Sequence, residues 1–169
     1  MATSASSPGL MHRMAESASV SVMHDLRLEE LNAKNAVAAN GLTLKRGQEA
    51  FLVPASNEAY VDQSSTWTRV VYAGEDLVAY IMANFDPESS KPEYRSSVLR
   101  MHVAGTAQGQ GVGTFAVGQV ADEAKRRGFD ALYAVWEPGE LGPTAFFTAI
   151  GFEVVGETEF GDQIGRRAL

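Results

Sequence analysis

The chain has 169 residues, of which 45% are hydrophobic and none is cysteine, and its net charge is −7 at pH 7. This length suits one domain with its own core, and the lack of cysteine excludes a disulfide scaffold, a thiolate metal site and a cysteine nucleophile. The acidic balance disfavours nucleic acid, no apolar run is long enough to span a membrane, and the scattered histidines predict no metal site, so we expect a soluble, cytoplasmic protein.

The N-terminal third is predicted from short local patterns. Residues 1–17 are small and polar and lack the apolar segment of a signal peptide, so we expect a disordered tail before a single domain at 18–169. SVSVMHDL (19–26) alternates and predicts a first strand. LRLEELNAKNAVAA (26–39) contains helix formers and predicts a helix ending before Asn40-Gly41. Two short helices are then predicted in GQEAFLVPASNEAYVDQSS (47–65), which Pro54 interrupts.

A β-hairpin and a further strand are predicted in the middle of the chain. TRVVYA (68–73) and LVAYIMANF (77–85) flank the turn at Gly74-Glu75-Asp76. A loop with two prolines follows. The next strand, SSVLRMHVA (96–104), alternates in character, so its apolar residues are expected to share one face: Leu99, Met101 and Val103.

The C-terminal half predicts two helices and three strands. A helix is predicted at about 111–127 and ends at Gly128, with basic residues in its last turn. Its apolar stripe consists of Val112, Ala116, Val120 and Ala124. ALYAVW (131–136) predicts a strand, and GPTAFFTAIGF (142–152) contains a short helix. The remaining residues predict a closing antiparallel strand pair that turns at Gly161-Asp162. The order of elements indicates a mixed α/β fold.

The segment QGQGVG (108–113) is the main functional signal. Its three glycines, at 109, 111 and 113, lie where a strand gives way to a helix. Such a turn exposes backbone N–H groups at a helix N-terminus and is typical of a phosphate or pyrophosphate site. The alternative is a tight turn that only needs positive φ. The stretch lacks the lysine of a nucleoside triphosphate loop, and its third glycine comes one position too early for a dinucleotide fold.

Gln108-x-x-Gly111-x-Gly113 resembles the signature of the GNAT superfamily of acyl-CoA N-acyltransferases, and AFFTAIGF (145–152) is similar to a later segment of that family. The resemblance covers about residues 18–169. It implies an α+β fold with a mostly antiparallel sheet of six to seven strands, splayed central strands and about four flanking helices. Three stretches also look like small bacterial polyamine (spermine/spermidine) acetyltransferases: GQEAFLVPASNEAY, LVAYIMANFDPE and GETEFGDQIGRRAL.

The resemblance implies acetyl-CoA as the acetyl donor. Backbone groups of Met101 and Val103 would pair with the pantetheine arm, and one N–H would polarise the thioester carbonyl. Glu140 stands where the family often has an asparagine that contacts the cofactor. The pyrophosphate would be held by backbone N–H groups of Gln108, Gly109, Gln110, Gly111, Val112, Gly113 and Thr114. Gln110, Val112 and Thr114 would matter mainly through their backbone.

The resemblance further implies direct attack of an amine on the thioester, with one proton removed from nitrogen and one given to sulfur. The chain departs from the family at both steps. Phe147 replaces the tyrosine that often protonates the thiolate, and Ser97 stands near the position of a glutamate base, where it would hold a relay water. His102 and Glu137 are the other candidate catalytic residues. The alternative for His102 is a packed strand histidine, and for Glu137 it is a solvated loop.

Four residues are candidate contacts of the acceptor amine: Asp86, Tyr80, Trp136 and Glu137. Aromatic rings offer cation–π contacts, and carboxylates bind an ammonium group. Asp86 can instead be a turn former, and the rings can be core residues. The leading acceptor is a polyamine, the alternative an aminoglycoside-like antibiotic, and a third possibility is a non-catalytic acyl-CoA-binding module. Relatives are often dimers, so a homodimer is a further expectation.

Overall fold

The computed structural model describes residues 25–43 and 62–169, and every structural statement below concerns these residues. The predicted tail at 1–17, most of the strand predicted at 19–26 and most of the segment predicted as two short helices lie outside the described residues.

Seven strands form one sheet in the order β1-β2-β3-β4-β5-β7-β6. Neighbouring strands are antiparallel except for β4 and β5, which run parallel. This confirms the mixed, mostly antiparallel sheet. The strands are β1 (Leu26–Glu30), β2 (Thr66–Ala73), β3 (Asp76–Phe85), β4 (Ser96–Val103), β5 (Ala131–Trp136), β6 (Glu153–Glu157) and β7 (Gln163–Ala168).

Three helices occur in the described part of the chain: α1 (Ala36–Asn40), α2 (Val112–Arg126) and α3 (Thr144–Ala149). Single turns of 3₁₀ helix lie at Gln63–Ser65, Pro92–Tyr94 and Gly105–Ala107. The predicted helix at 111–127 is confirmed, and Gly128 follows it with φ +90°, as a C-terminal glycine does.

The helix predicted over residues 26–39 is wrong in its first part. Residues 26–30 form β1, which pairs with β2 along its whole length, and the helix is confined to α1. Leu26 and Leu28 pack against the main core. Pairing with β2 and burial stabilise these five residues as a strand more than an isolated helical turn would stabilise them as a helix. Their helix-forming composition does not prevent this, because intrinsic propensity is a weak preference.

The main core lies between α2 and one face of the sheet, here called the first face. The helix buries a complete stripe there, and the facing strands contribute alternate residues, among them Ile81 on β3 and Leu132 on β5. The buried helix positions are Val112, Ala116, Val117, Val120, Ala121 and Ala124. The opposite, second face carries a smaller cluster of Tyr94, Leu99 and Val135.

A β-bulge in β4 changes which side chains share a face. Arg100 pairs with Met82 and Val98 pairs with Ala83, so Leu99 is an extra residue without a partner in this register. Val98 lies in the main core and Leu99 on the second face. The predicted grouping of Leu99 with Met101 and Val103 is therefore wrong, because a bulge breaks the two-residue alternation of a strand.

Candidate active site

The central strands separate and leave a wedge in the sheet. β4 and β5 pair only at Ser97 with Tyr133 and at Val98 with Ala134. Beyond this point β4 continues to Val103 and β5 continues to Trp136, but the two strands no longer pair with each other. The splayed central strands implied by the resemblance are confirmed. Backbone polar groups along the wedge are available to a ligand, because hydrogen-bonding groups in a strand need a partner.

The glycine segment lies at the wide end of this wedge, where β4 leads into α2. Gly109 and Gly111 have φ of +76° and +83°, a conformation that favours glycine. Gly111 caps α2 without a side-chain hydrogen bond. The hydrogen bond that starts the helix runs from the N–H of Phe115 to the carbonyl of Gly111 at 2.9 Å. The N–H groups of the preceding residues are therefore free of intrahelical acceptors and suit an anionic ligand.

Two glutamine side chains hold the turn in shape. The Nε2 of Gln108 donates to the carbonyl of Val103 at 2.9 Å, and the Nε2 of Gln110 donates to the carbonyl of Thr106 at 3.1 Å. The Gln108 bond ties the turn to the last residue of β4. The sequence assigned these glutamines a backbone role, and their polar side chains next to the glycines are the signal that indicates this second role.

Two other residues of the segment are fixed by packing. A Cβ on Gly113 would lie 3.1 Å from the Cε2 and Cζ atoms of Phe146 and 3.5 Å from Cε of Met101. Val112 is only 1% exposed and belongs to the main core. A side chain at 113 would therefore press on the ring of Phe146 in α3, and the side chain of Val112 matters for packing in addition to its backbone.

On the second face of the sheet, His102, Tyr80 and Arg100 lie together. Tyr80 and His102 are cross-strand partners with ring centroids 5.6 Å apart, and Arg100 is two residues before His102 on the same face. Burial, then the positive charge of Arg100, lower the pKa of His102. Burial raises the pKa of Tyr80, although Arg100 and a hydrogen bond with Thr68 act the other way. At neutral pH this arrangement holds a neutral imidazole beside a protonated phenol.

The Nε2 atom of His102 is buried, and no described residue hydrogen bonds to it. A neutral imidazole nitrogen that no described residue engages is available to accept a proton from a ligand. The sequence identified His102 and Tyr80 separately, and the structure brings them together.

Ser97 lies apart from this group. It is fully buried at the narrow end of the wedge, where it pairs with Asn84 and with Tyr133, and its Oγ has no partner among the described residues. Five residues of strand separate it from His102, or about 15 Å along the chain. Ser97 and His102 therefore do not act on the same atom of a ligand directly.

The Trp136 side chain is in the core. It is 2% exposed, its ring stacks on Phe147 with centroids 4.8 Å apart, and its Nε1 donates to Oγ1 of Thr144 at 2.8 Å and to Oε1 of Gln163 at 2.9 Å. This placement favours a structural role over the predicted contact with an amine. Phe147 is likewise packed among aromatic rings.

The predicted acidic residues lie at different ends of the wedge. Asp86 follows β3 at the narrow end, and its Oδ1 accepts a hydrogen bond from the N–H of Glu88 at 3.0 Å, as in a turn. Glu137 follows β5 and lies at the wide end, because β4 and β5 are parallel. Glu140, further along that loop, is exposed.

The described ranges, 25–43 and 62–169, contain neither a metal-ligand cluster nor a membrane-spanning helix. No group of three histidine, aspartate or glutamate side chains there is arranged to hold a metal ion. Among the described helices, none has the length and apolar character needed to cross a membrane.

Comparison with known proteins decides the family. The sequence profile of the Acetyltransferase (GNAT) family matches residues 39–152, which is more than half of the chain. The chain belongs to the GNAT acetyltransferase family. Its wedge and glycine turn are thus the parts of a GNAT fold, and enzymes of this family take their acetyl group from acetyl-CoA. A comparison with functionally curated proteins found no match.

Solved structures show the same fold at low sequence identity. The GNAT domain of S. lividans PAT is 13% identical, with a TM-score of 0.65 over 85% of this GNAT chain and 90% of that one. Nourseothricin acetyltransferase is 18% identical, with a TM-score of 0.61 over 85% and 98%. N-acetylglutamate synthase from Neisseria gonorrhoeae, solved with coenzyme A and N-acetyl-glutamate, is 15% identical, with a TM-score of 0.61 over 85% and 35%.

Proposed function

We propose that this GNAT acetyltransferase acetylates the primary amine of a small molecule, with acetyl-CoA and the amine approaching from opposite faces of the sheet. One observation carries the proposal: the wedge between β4 and β5 has the glycine turn at its wide end and the His102 group on its second face. A passage between the two faces lets two ligands meet without overlapping.

The residues at the wedge fit acetyl-CoA. Backbone N–H groups of residues 109–114 would hold its pyrophosphate, since the positive φ of Gly109 and Gly111 and the uncapped start of α2 present them to an anion. The N–H of Gln108, which the sequence included in this set, instead donates to the carbonyl of Ala104 at 3.1 Å. Backbone groups of Met101 and the N–H of Val103 would hold the pantetheine arm, because the carbonyl of Val103 already accepts a hydrogen bond from Gln108. Bound acetyl-CoA supplies an acetyl thioester, which is activated toward an amine.

His102 would accept the proton that the amine loses. Its lowered pKa keeps the imidazole neutral, and Nε2 has no competing partner among the described residues. The nearby charge of Arg100 also favours the neutral form of an amine bound beside it. Tyr80 keeps its proton and is available as a proton donor, which Phe147 is not. Ser97 and Glu137 remain the alternatives for proton transfer through water.

Different observations support the two acceptor classes that the sequence indicates. Linear polyamines are supported by the net charge of −7 and by Glu137 and Glu140 in the loop after β5. An antibiotic amine is supported by the shared fold of nourseothricin acetyltransferase, whose name states its acceptor. Asp86 and Trp136 support neither class, because the Asp86 carboxylate accepts a hydrogen bond within a turn and the Trp136 side chain is buried.

The test is release of free thiol from acetyl-CoA in the presence of separate amines: linear polyamines, aminoglycosides, aminocyclitols, amino acids and peptides. Turnover with any small primary amine, with a product heavier by one acetyl group, supports the proposal. Tight binding of acetyl-CoA without thiol release in the whole panel contradicts it and favours a non-catalytic acyl-CoA-binding module. Light scattering at the assay concentration tests the predicted homodimer.

A further inference from the structure

At the proposed acceptor side of the wedge, the guanidinium of Arg100 has no counter-ion among the described residues. Its Nε is buried, and no described residue accepts a hydrogen bond from it. No carboxylate of the described chain lies within ion-pair distance of it. The residue as a whole is half-buried. An arginine is always charged, and a donor removed from water is costly unless it finds an acceptor.

Four other described arginines have side-chain or backbone partners. Arg27 pairs with Glu29, the Nε of Arg95 donates to the carbonyl of Ser89 at 2.8 Å, and the two arginines that end α2 both bind Glu123. These are surface or turn contacts that water competes for. Arg100 stands out because it combines burial of a donor with the lack of an acceptor.

The position of Arg100 relates it to the proposed base. Arg100 and His102 project from the same face of β4, two residues and about 7 Å apart along the strand. The long arginine side chain can approach an atom close to the imidazole. A ligand whose amine meets His102 would therefore place its neighbouring atoms near the guanidinium.

We propose that Arg100 binds a carboxylate of the acceptor, so that the acceptor is an amine that also carries a carboxylate. A guanidinium binds a carboxylate through two parallel hydrogen bonds, which fixes orientation as well as position. The bound carboxylate supplies the missing anion, and the amine next to it is directed to His102. This inference rests on the proposed function and narrows its acceptor class from amines in general to amino-acid-like molecules.

The first experiment compares acceptors that differ only in this group. Ornithine and putrescine have the same two amines and the same spacing, and ornithine adds one carboxylate; ornithine amide replaces that carboxylate by a neutral group. We expect kcat/KM for ornithine to exceed that for putrescine and for the amide by roughly 10-fold or more, the usual effect of losing one hydrogen bond to a charged group.

The second experiment removes the guanidinium. In Arg100→Gln the ratio of kcat/KM for ornithine to that for putrescine should fall toward one, and Arg100→Lys should retain part of it. Arg69→Gln is the matched control, because Arg69 lies on β2 and stacks on Trp67 in the main core, on the opposite face. It should leave the ratio unchanged. Thermal melting and acetyl-CoA binding show whether each variant is folded.

Each outcome decides one of the two proposals. Wild-type enzyme that uses putrescine or the amide as well as ornithine overturns the role of Arg100 and leaves the proposed function standing. An Arg100→Gln enzyme that is folded and keeps the ornithine preference also overturns it. Absence of thiol release with every amine, despite acetyl-CoA binding, overturns the proposed function and this inference with it.

Discussion

Replacing Gly165 by alanine tests the placement of Trp136. A Cβ at this position of β7 would lie 2.5 and 2.6 Å from the Cη2 and Cζ3 atoms of Trp136 and 3.5 Å from Cβ of Phe152. The indole cannot move away easily, because it stacks on Phe147 and its N–H binds two side-chain oxygens. The new methyl group must therefore displace the strand or the ring.

The expected loss of folding stability is large for the addition of a single methyl group. The two closest contacts are about 1 Å shorter than ordinary van der Waals contacts, and overpacking of a close-packed core costs about 1 to 3 kcal/mol. Because the ring is stacked and hydrogen bonded, we expect a value near the upper end, about 3 kcal/mol. For a chain of this length that loss lowers Tm by about 6 to 12 °C.

Urea unfolding gives the free energy, and thermal melting gives the shift in Tm. The control is Gly156→Ala on the neighbouring strand β6, where a Cβ would meet no atom within 4 Å. In a double-mutant cycle with Trp136→Phe, the two losses should be less than additive, because the smaller ring relieves the clash. A Gly165→Ala protein as stable as wild type, with an altered KM for the amine, would refute the core placement and restore the predicted amine contact.

Three further predictions concern the donor turn, the base and one surface ion pair. Gly111→Val should weaken acetyl-CoA binding measured by calorimetry and lower the free energy of unfolding by about 1 to 3 kcal/mol, because φ of +83° strains a valine. The control Gly118→Ala, where a Cβ meets nothing within 4 Å, should leave this binding unchanged. Equal acetyl-CoA affinities of Gly111→Val and wild type would exclude the turn as the pyrophosphate site. His102→Gln should lower kcat roughly 100-fold and remove the loss of activity that wild type shows as pH falls below 6.5 through the lowered pKa of His102, and an unchanged pH profile would exclude it as the base. Hydrogen bonds from two arginines lower the pKa of Glu123 from 4.5 to about 2, so its contribution to stability is complete above pH 4.5 and is lost as pH falls through 2. Glu123→Gln should cost about 1 kcal/mol at pH 7 and progressively less as pH falls toward 2 in urea unfolding, and a pH-independent cost would contradict the ion pair.

The parts of the fold that depend on local signals were predicted well. The hairpin at Gly74, the helix that ends at Gly128 and the strand at 131–136 are marked by glycines and by regular apolar spacing. β1 was not predicted, because its five residues become a strand only through pairing with β2, which lies almost forty residues later in the chain. The bulge at Leu99 was not predicted either, since no residue in that stretch marks it.

The candidate site also combines features that local sequence signals predict with features that depend on distant strand pairing. The glycine turn is encoded locally, so its position and the positive φ of Gly109 and Gly111 follow from the sequence. The grouping of Tyr80, Arg100 and His102 depends on the register between two strands, and the predicted roles treated these residues separately. Burial of Trp136 depends on a glycine in β7 that leaves room for its ring, which no local pattern around position 136 reveals.

The wedge also has a consequence for how the protein unfolds. Only two residue pairs join β4 to β5, so the sheet consists of two halves, β1–β4 and β5–β7, with little backbone connection between them. Each half contains one of the two tryptophans, Trp67 on β2 and Trp136 on β5, and both indoles belong to the core beneath α2. Fluorescence of the two single-tryptophan variants therefore reports on the halves separately. Cooperative melting of the two signals is carried by side-chain packing against α2, since the sheet itself provides few hydrogen bonds across the gap.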